Sequence, residues 1–227
     1  MADASDDGSG HRARLRQRLL EGGPDALLDH ELVEYLLALA IPRRDTKPLA
    51  KKLLREFGGY GELLAADAAA LARVGELGDG AVAALKIAQA SALRLLEERI
   101  RERPVLASWQ ALLDYLRADM AHMAVERVRV LFLNSRNVLI ANERMWEGSV
   151  DESAVYIREI MRRALDLHAT AIIVVHNHPS GDPSPSQQDI RLTRDLAEAG
   201  RHLRITLHDH IIVGAAGYTS LRSEGLI

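Results

Sequence analysis

The strongest constraint on how this chain can fold is the run Ala171-Ile172-Ile173-Val174-Val175, which passes directly into His176-Asn177-His178. An unbroken run of apolar, mostly β-branched residues offers water no polar face, so it predicts a strand covered on both sides. Such a strand belongs in the middle of an α/β sheet. The residues after it are delivered to the sheet edge, where α/β proteins commonly build their sites.

Those residues are HNHPSGDPSPSQQD, from His176 to Asp189. His176 and His178 are two residues apart, so both side chains leave the same side of an extended segment. Ser184, Pro185 and Gln187 read as an N-cap, a proline at the first helical position and the far end of a capping box. On that reading Asp189 sits in the second turn of a helix, with Ser186 three residues before it on the same face. Two neutral nitrogens and one carboxylate give a borderline divalent ion three protein ligands and leave a fourth position to water. That is the pattern of a catalytic zinc rather than a structural one. The competing reading makes the histidines surface-loop residues or satisfied polar groups beside a core. It suits a single histidine better than two in register followed by a capped Ser-x-x-Asp.

The string H-x-H-x7-S-x2-D, here His176, His178, Ser186 and Asp189, resembles the zinc motif of the JAMM (MPN-plus) metalloprotease family. The fuller context, VVHNHPSGDPSPSQQD followed by LHDHIIVG, resembles the bacterial RadC family, and IPRRDTKPLAKKLLREFGGYGELL is similar to the RadC amino-terminal region. The resemblance implies a JAMM/MPN-like, cytidine deaminase-like α/β layer domain preceded by a small all-α domain. It implies Zn2+ held by His176, His178 and Asp189. One departure is that Ile157 stands where the RadC pattern has a proline, so the helix start near Tyr156 is expected to differ.

In JAMM enzymes a glutamate upstream of the histidine pair orients and deprotonates the zinc water. The chemistry needs it: zinc lowers the water pKa only to about 7, and a base must take the proton and pass it to the leaving amine. Glu126, Glu143 and Glu147 precede the motif. Glu126 opens Val128 to Leu133, which resembles the first JAMM strand, where that family keeps its glutamate; the resemblance therefore implies Glu126 as general base. Glu143, in the next strand around Val138 to Trp146, is the main rival, and Glu147 suits a solvated edge charge. Ser186 would donate a hydrogen bond to the carbonyl oxygen or tetrahedral oxyanion, a contact worth roughly a few kcal/mol in the transition state. Without the resemblance, a second helix cap is an equal reading of Ser186.

A second cluster, His208-Asp209-His210, lies in an apolar strand pattern. Alternation predicts His208 and His210 on one face with Asp209 opposite. They could orient a metal-binding histidine or simply hydrogen-bond a neighbouring loop.

The organisation changes near Arg103-Pro104. Residues 1–10 are small, polar and acidic, which predicts disorder. Residues 11–103 read as helical, with Arg14 to Leu20, Glu31 to Leu39 capped by Asp29, Leu49 to Phe57, Asp67 to Val74 and Ala81 to Glu98. The last pair, around Gly75-Glu76-Leu77-Gly78-Asp79-Gly80, resembles a helix-hairpin-helix, whose glycine turn can approach a phosphate. Acidic Glu76 and Asp79 count against phosphate there and favour a packing hairpin. The stretches Arg12 to Arg18 and Arg43-Arg44 to Lys51-Lys52 read as solvated helix faces. Residues 104–227 carry the expected hydrolase domain: a helix near Trp109 to Arg117, the two strands above, a helix from about Ser153 to Leu167, the buried strand, the ligand helix, and strands around Ile205 to Leu207 and Ile211 to Val213.

The chain has no cysteine, which excludes disulfides, thiolate zinc sites and cysteine nucleophiles. The acidic start lacks a hydrophobic signal core, and no apolar run approaches the roughly 20 residues that span a bilayer. The expected compartment is cytoplasmic. A formal net charge of -3 argues against coating nucleic acid by bulk charge. The favoured activity is zinc-dependent hydrolysis of amide or isopeptide bonds in a protein or peptide substrate. The rivals are a DNA repair or replication accessory protein that touches DNA through the helical domain, and, more weakly, a nuclease. RadC proteins are traditionally called DNA repair proteins, so the resemblance feeds the first two readings.

Overall fold

The computed structural model describes residues 7–101, 104–148 and 153–227. They form two compact units that divide between Ser91 and Ala92. That division lies inside a helix; Arg103, at the expected boundary, is outside the described residues. Of the residues expected to be disordered, 1–6 are also outside, and Asp7 to Gly10 open the first helix.

The first unit is helical: α1 (Asp7–Gly22), α2 (Asp29–Ala40), α3 (Lys47–Phe57), α4 (Tyr60–Ala65), α5 (Ala68–Ala72) and the start of α6 (Asp79–Arg101). Its core follows helical spacing, with Val33 and Leu37 on α2, Leu49 and Leu53 on α3, and Leu63, Leu71 and Leu85 closing the centre. Asp67 caps α5 as its residue type demands, its carboxylate accepting from the Ala70 N–H at 2.6 Å. The expected Asp29 cap is not the one used. Leu28 is the N-cap of α2, and Glu31, three residues further on, reaches back to accept its N–H at 3.0 Å. The helix expected to begin at Ala81 begins at Asp79. In the turn before it, Glu76 pairs with Lys52 at 3.0 Å and with Arg44, so its charge is matched rather than free to repel.

The second unit adds α7 (Trp109–Met120), β1 (Arg127–Leu133), β2 (Leu139–Glu147), α8 (Ser153–Asp166), β3 (Ala171–Asn177), α9 (Gln187–Leu203), β4 (Thr206–Gly214) and β5 (Gly217–Ser220). The five strands make one sheet in the order β2-β1-β3-β4-β5. Only the β3–β4 pair is parallel, joined through α9. Every residue of β3 is buried, as its apolar run requires. Leu131, Leu133, Ile173, Val175, Ile211 and Val213 pack on one face with α7. On the other face Val128, Val130, Phe132, Ile172, Val174 and Leu207 pack against α8 and α9. Ile157 is helical, within α8, and joins that second cluster.

Two sequence expectations differ here. Ile205 to Leu207 and Ile211 to Val213 are not separate strands, because His208-Asp209-His210 continue the extended backbone between them as β4. The register shifts between Ile172 and Ile173, which pair with Leu207 and Asp209, so His208 is bulged out of step. The bulge breaks the expected alternation and sends His208 and His210 to different surroundings.

Candidate functional site

The carboxyl end of β3 carries the site. His176 and Val128 pair across β3 and β1, on the sheet face covered by α8 and α9. His176 is 2% exposed. Its parity partner His178 lies just past the strand, and its N–H donates to the Val213 carbonyl at 2.9 Å. The chain then turns back through Gly181, whose φ of 84° suits glycine. The Gly181 N–H donates to the His178 carbonyl at 2.9 Å, and the Ala216 N–H to the Gly181 carbonyl at 3.0 Å. That turn brings the Asp182 carbonyl to His178 Nδ1 at 2.8 Å. A carbonyl can only accept, so Nδ1 carries a proton.

The helix that carries Asp189 starts later than the sequence suggests. Ser186, not Ser184, is the N-cap of α9, and Asp189 stands in the first turn rather than the second. Ser186 Oγ accepts from the Asp189 N–H at 3.1 Å, and Asp189 Oδ2 accepts from the Ser186 N–H at 2.7 Å. Ser184 serves the preceding turn instead, donating its N–H and hydroxyl to Asp182 at 2.9 and 2.7 Å. The reciprocal Ser186–Asp189 box fixes the carboxylate without consuming both of its oxygens.

His176 Nε2 lies 3.0 Å from His178 Nε2 and 3.3 Å from Asp189 Oδ1, with His178 Nε2 3.6 Å from Asp189 Oδ2. One donor atom from each of the three residues falls within 4.8 Å of the others, so the group could hold a metal ion. Burial pushes the His176 imidazole down to about 4. Hydrogen bonding with Asp189 raises His178 against the opposing effect of its own burial. Burial works to raise Asp189 as well, but the hydrogen bond with His178, the neighbouring His176 and the bonds from Ser186 outweigh it and hold the carboxyl well below its ordinary range. Asp189 is therefore ionised.

Glu126 immediately precedes β1, half-buried beside the cluster. Burial raises its carboxyl; the His178 charge lowers it and the Asp189 charge raises it. Asn177, fully buried on the opposite parity from the histidines, straddles this glutamate: its Oδ1 accepts from the Arg127 N–H at 2.9 Å and its amide donates to the Val125 carbonyl at 3.2 Å. The rival Glu143 is brought to a different place. Arg163 on α8 grips it with two hydrogen bonds, at 2.7 and 2.5 Å, and holds its carboxyl below the ordinary value. Glu147 pairs at the surface with Arg127 and Arg144.

The histidines of β4 part company. His208 Nε2 meets Asn137 Oδ1 in the β1–β2 turn at 2.7 Å. His210, 1% exposed, sets its Nε2 2.8 Å from His176 Nδ1.

A family model described as a RadC-like JAB domain matches residues 106–226. A UPF0758 protein of Rhodobacter capsulatus is 51% identical over 213 residues, covering 94% of this chain and 100% of the relative. A UPF0758 protein of Ruegeria pomeroyi is 48% identical over 217 residues, 96% of this chain and 97% of the relative. The chain belongs to the RadC family. Its second unit is accordingly a JAMM/MPN-type domain, mixed α/β with the five-stranded sheet described above. The RadC-like span takes in Glu126, His176, His178, Ser186 and Asp189. Among the described residues no helix is long and apolar enough to cross a membrane.

Three residues in contact with this site escaped the sequence reading: Asn177, Asp182 and Thr193, whose Oγ1 lies 2.5 Å from the Asp189 carbonyl oxygen. Thr193 had a usable signal, since it lies four residues after Asp189 and so shares its helix face. Asp182 reaches His178 through its backbone carbonyl, and that contact carries no side-chain signal.

Proposed function

We propose that this RadC protein is a zinc-dependent hydrolase of amide or isopeptide bonds. The observation that carries the reading is the convergence of His176 Nε2, His178 Nε2 and the Asp189 carboxylate beside a half-buried glutamate. The donor set fits zinc: two imidazoles, one of them locked by a backbone carbonyl so that its other nitrogen faces inward, and one carboxylate already ionised. A bound zinc ion would supply a Lewis acid for the scissile carbonyl and a water whose pKa falls to about 7.

The remaining chemistry belongs to the chain. Glu126 takes a proton from the attacking water and returns it to the leaving amine, a task its raised pKa suits. From β3, Asn177 holds that glutamate against the ligand strand by bonding the backbone on either side of it. Ser186 is exposed, and its Oγ accepts from Asp189 while its hydroxyl hydrogen remains available to donate to a developing oxyanion. Cap and oxyanion donor are thus compatible roles for one hydroxyl. Glu143, gripped by Arg163, is poorly suited to carry protons.

For the helical unit the reading favoured is packing rather than DNA contact. Glu76, in the hairpin turn, occupies the two cations Arg44 and Lys52.

Purified protein should carry about one zinc per chain, and the double variant His176→Ala, His178→Ala should carry none. Glu126→Gln should keep the metal and lose hydrolysis across a panel of peptide and isopeptide-linked substrates. Metal content unchanged in the double variant would overturn the site.

A further inference from the structure

We propose that Thr193 and His210 are positioning residues that fix the tautomer of His176 and so keep its Nε2 lone pair aimed at the metal position. The inference rests on the metal reading above and deepens it. It comes from a line of hydrogen bonds that can be oriented in only one direction.

The line begins at the Asp189 backbone carbonyl, which can only accept. Thr193, one turn further along α9 and fully buried, sets its Oγ1 2.5 Å from that oxygen. Two acceptors cannot sit that close without a hydrogen between them, so the threonine hydroxyl donates there. Its single hydrogen is then committed. His210 Nδ1 also lies 2.5 Å from the same Oγ1, so His210 must be the donor in that contact. Among the described residues no carboxylate bonds either ring nitrogen of His210, and the ring is buried, so it is neutral and carries one hydrogen only. With Nδ1 protonated, His210 Nε2 is an acceptor, and the His176 Nδ1 at 2.8 Å supplies the proton. His176 is thereby left with a bare Nε2, the atom that faces His178 and Asp189.

The line also ties together the two elements that supply ligands. It starts on α9 at Asp189 itself, crosses to β4 through His210 and ends on β3 at His176. His178 has its own, independent lock in the Asp182 carbonyl. The opposite tautomer of His176 would place an N–H 3.0 Å from His178 Nε2 and remove the lone pair a metal needs.

The test uses the full-length, metal-free protein labelled with 15N, whose imidazole nitrogens report their protonation directly. Wild-type His176 and His210 should both be protonated at Nδ1. Thr193→Val keeps the shape but removes the hydroxyl; it should give His176 a mixed tautomer population and weaken zinc binding by about 10- to 100-fold against a chromophoric chelator. Thr193→Ser, which keeps the hydroxyl, should restore both. Wild-type His176 protonated at Nε2 would overturn the proposal. So would a Thr193→Val variant that keeps the Nδ1–H tautomer and zinc affinity within about twofold of wild type. If wild type binds no zinc yet the tautomer responds to Thr193→Val, the metal reading fails and the relay stands.

Discussion

Gly214 sits at the end of β4, and on the zinc reading an alanine there should weaken metal binding as well as cost some stability. A Cβ built on Gly214 would lie 2.3 Å from the Gly181 carbonyl oxygen, 2.7 Å from its carbon and 3.2 Å from the Pro183 nitrogen. All three atoms are backbone of the turn that carries Asp182, so no side chain can swing aside. To reach the 3.4 Å of an ordinary contact, the turn must retreat by about 1 Å. The bond from His178 Nδ1 to the Asp182 carbonyl now spans 2.8 Å, and a retreat of that size breaks it. Overpacking of this kind costs about 1–3 kcal/mol. Loss of the bond that orients a ligand histidine weakens metal binding by about 10- to 100-fold.

Gly200→Ala is the matched control. Its Cβ would lie 2.4 Å from the Ile205 carbonyl oxygen, a comparable backbone clash at the other end of α9, away from the ligands. Urea unfolding in the presence of a chelator gives the stability change for each variant, and competition with a chromophoric chelator gives the zinc affinity. Gly214→Ala should lose both properties, whereas Gly200→Ala should lose stability alone. Equal loss of zinc affinity in the two variants would mean that metal binding tracks general stability, and the role given to the Asp182 turn would be wrong.

Glu143→Gln should keep its metal and its hydrolysis, since Arg163 rather than the site is its partner; abolished hydrolysis in this variant with activity intact in Glu126→Gln would reverse the assignment of the base. Glu31 is held down to about 2 by its hydrogen bonds with Arg18 and the Leu28 N–H, so its contribution to stability is complete above the ordinary carboxylate value and is lost as pH falls. Glu31→Gln should therefore be less stable than wild type at neutral pH, with the gap narrowing once pH falls below the ordinary carboxylate value and closing only as it passes about 2; a gap of constant size would contradict the pairing. The full chain should bind duplex, branched or single-stranded DNA no more tightly than about 10⁻⁴–10⁻⁶ M near physiological salt, and tighter binding that survives added salt would favour the DNA accessory reading.

What the sequence made legible is whatever depends on period and on chain-local chemistry. Four β-branched residues in succession announce β3, and a spacing of two puts His176 and His178 on one side of it, because strand parity is set by the backbone alone. The helix start was ambiguous for a definite reason. Ser184-x-x-Gln187 and Ser186-x-x-Asp189 both satisfy a capping box, and the contest was settled by Asp182, which takes the Ser184 hydroxyl and amide for its own turn. β5 left no mark because Gly217-Tyr218-Thr219-Ser220 has no apolar run; pairing with Ile211 to Gly214 makes it a strand.

The fate of the β4 histidines was illegible in a deeper sense. Strict alternation predicts that His208 and His210 act together, yet a one-residue bulge against β3 decides that only His210 reaches His176. A bulge is a property of two strands in register, and neither strand encodes it separately. The polar path from Asp189 through Thr193 and His210 likewise exists only once α9, β4 and β3 are stacked. The three side chains that converge, His176, His178 and Asp189, could thus be read from fourteen consecutive residues, whereas Thr193 and His210, which continue the line of contacts from Asp189 to His176, come from separate stretches of chain and meet only with the fold.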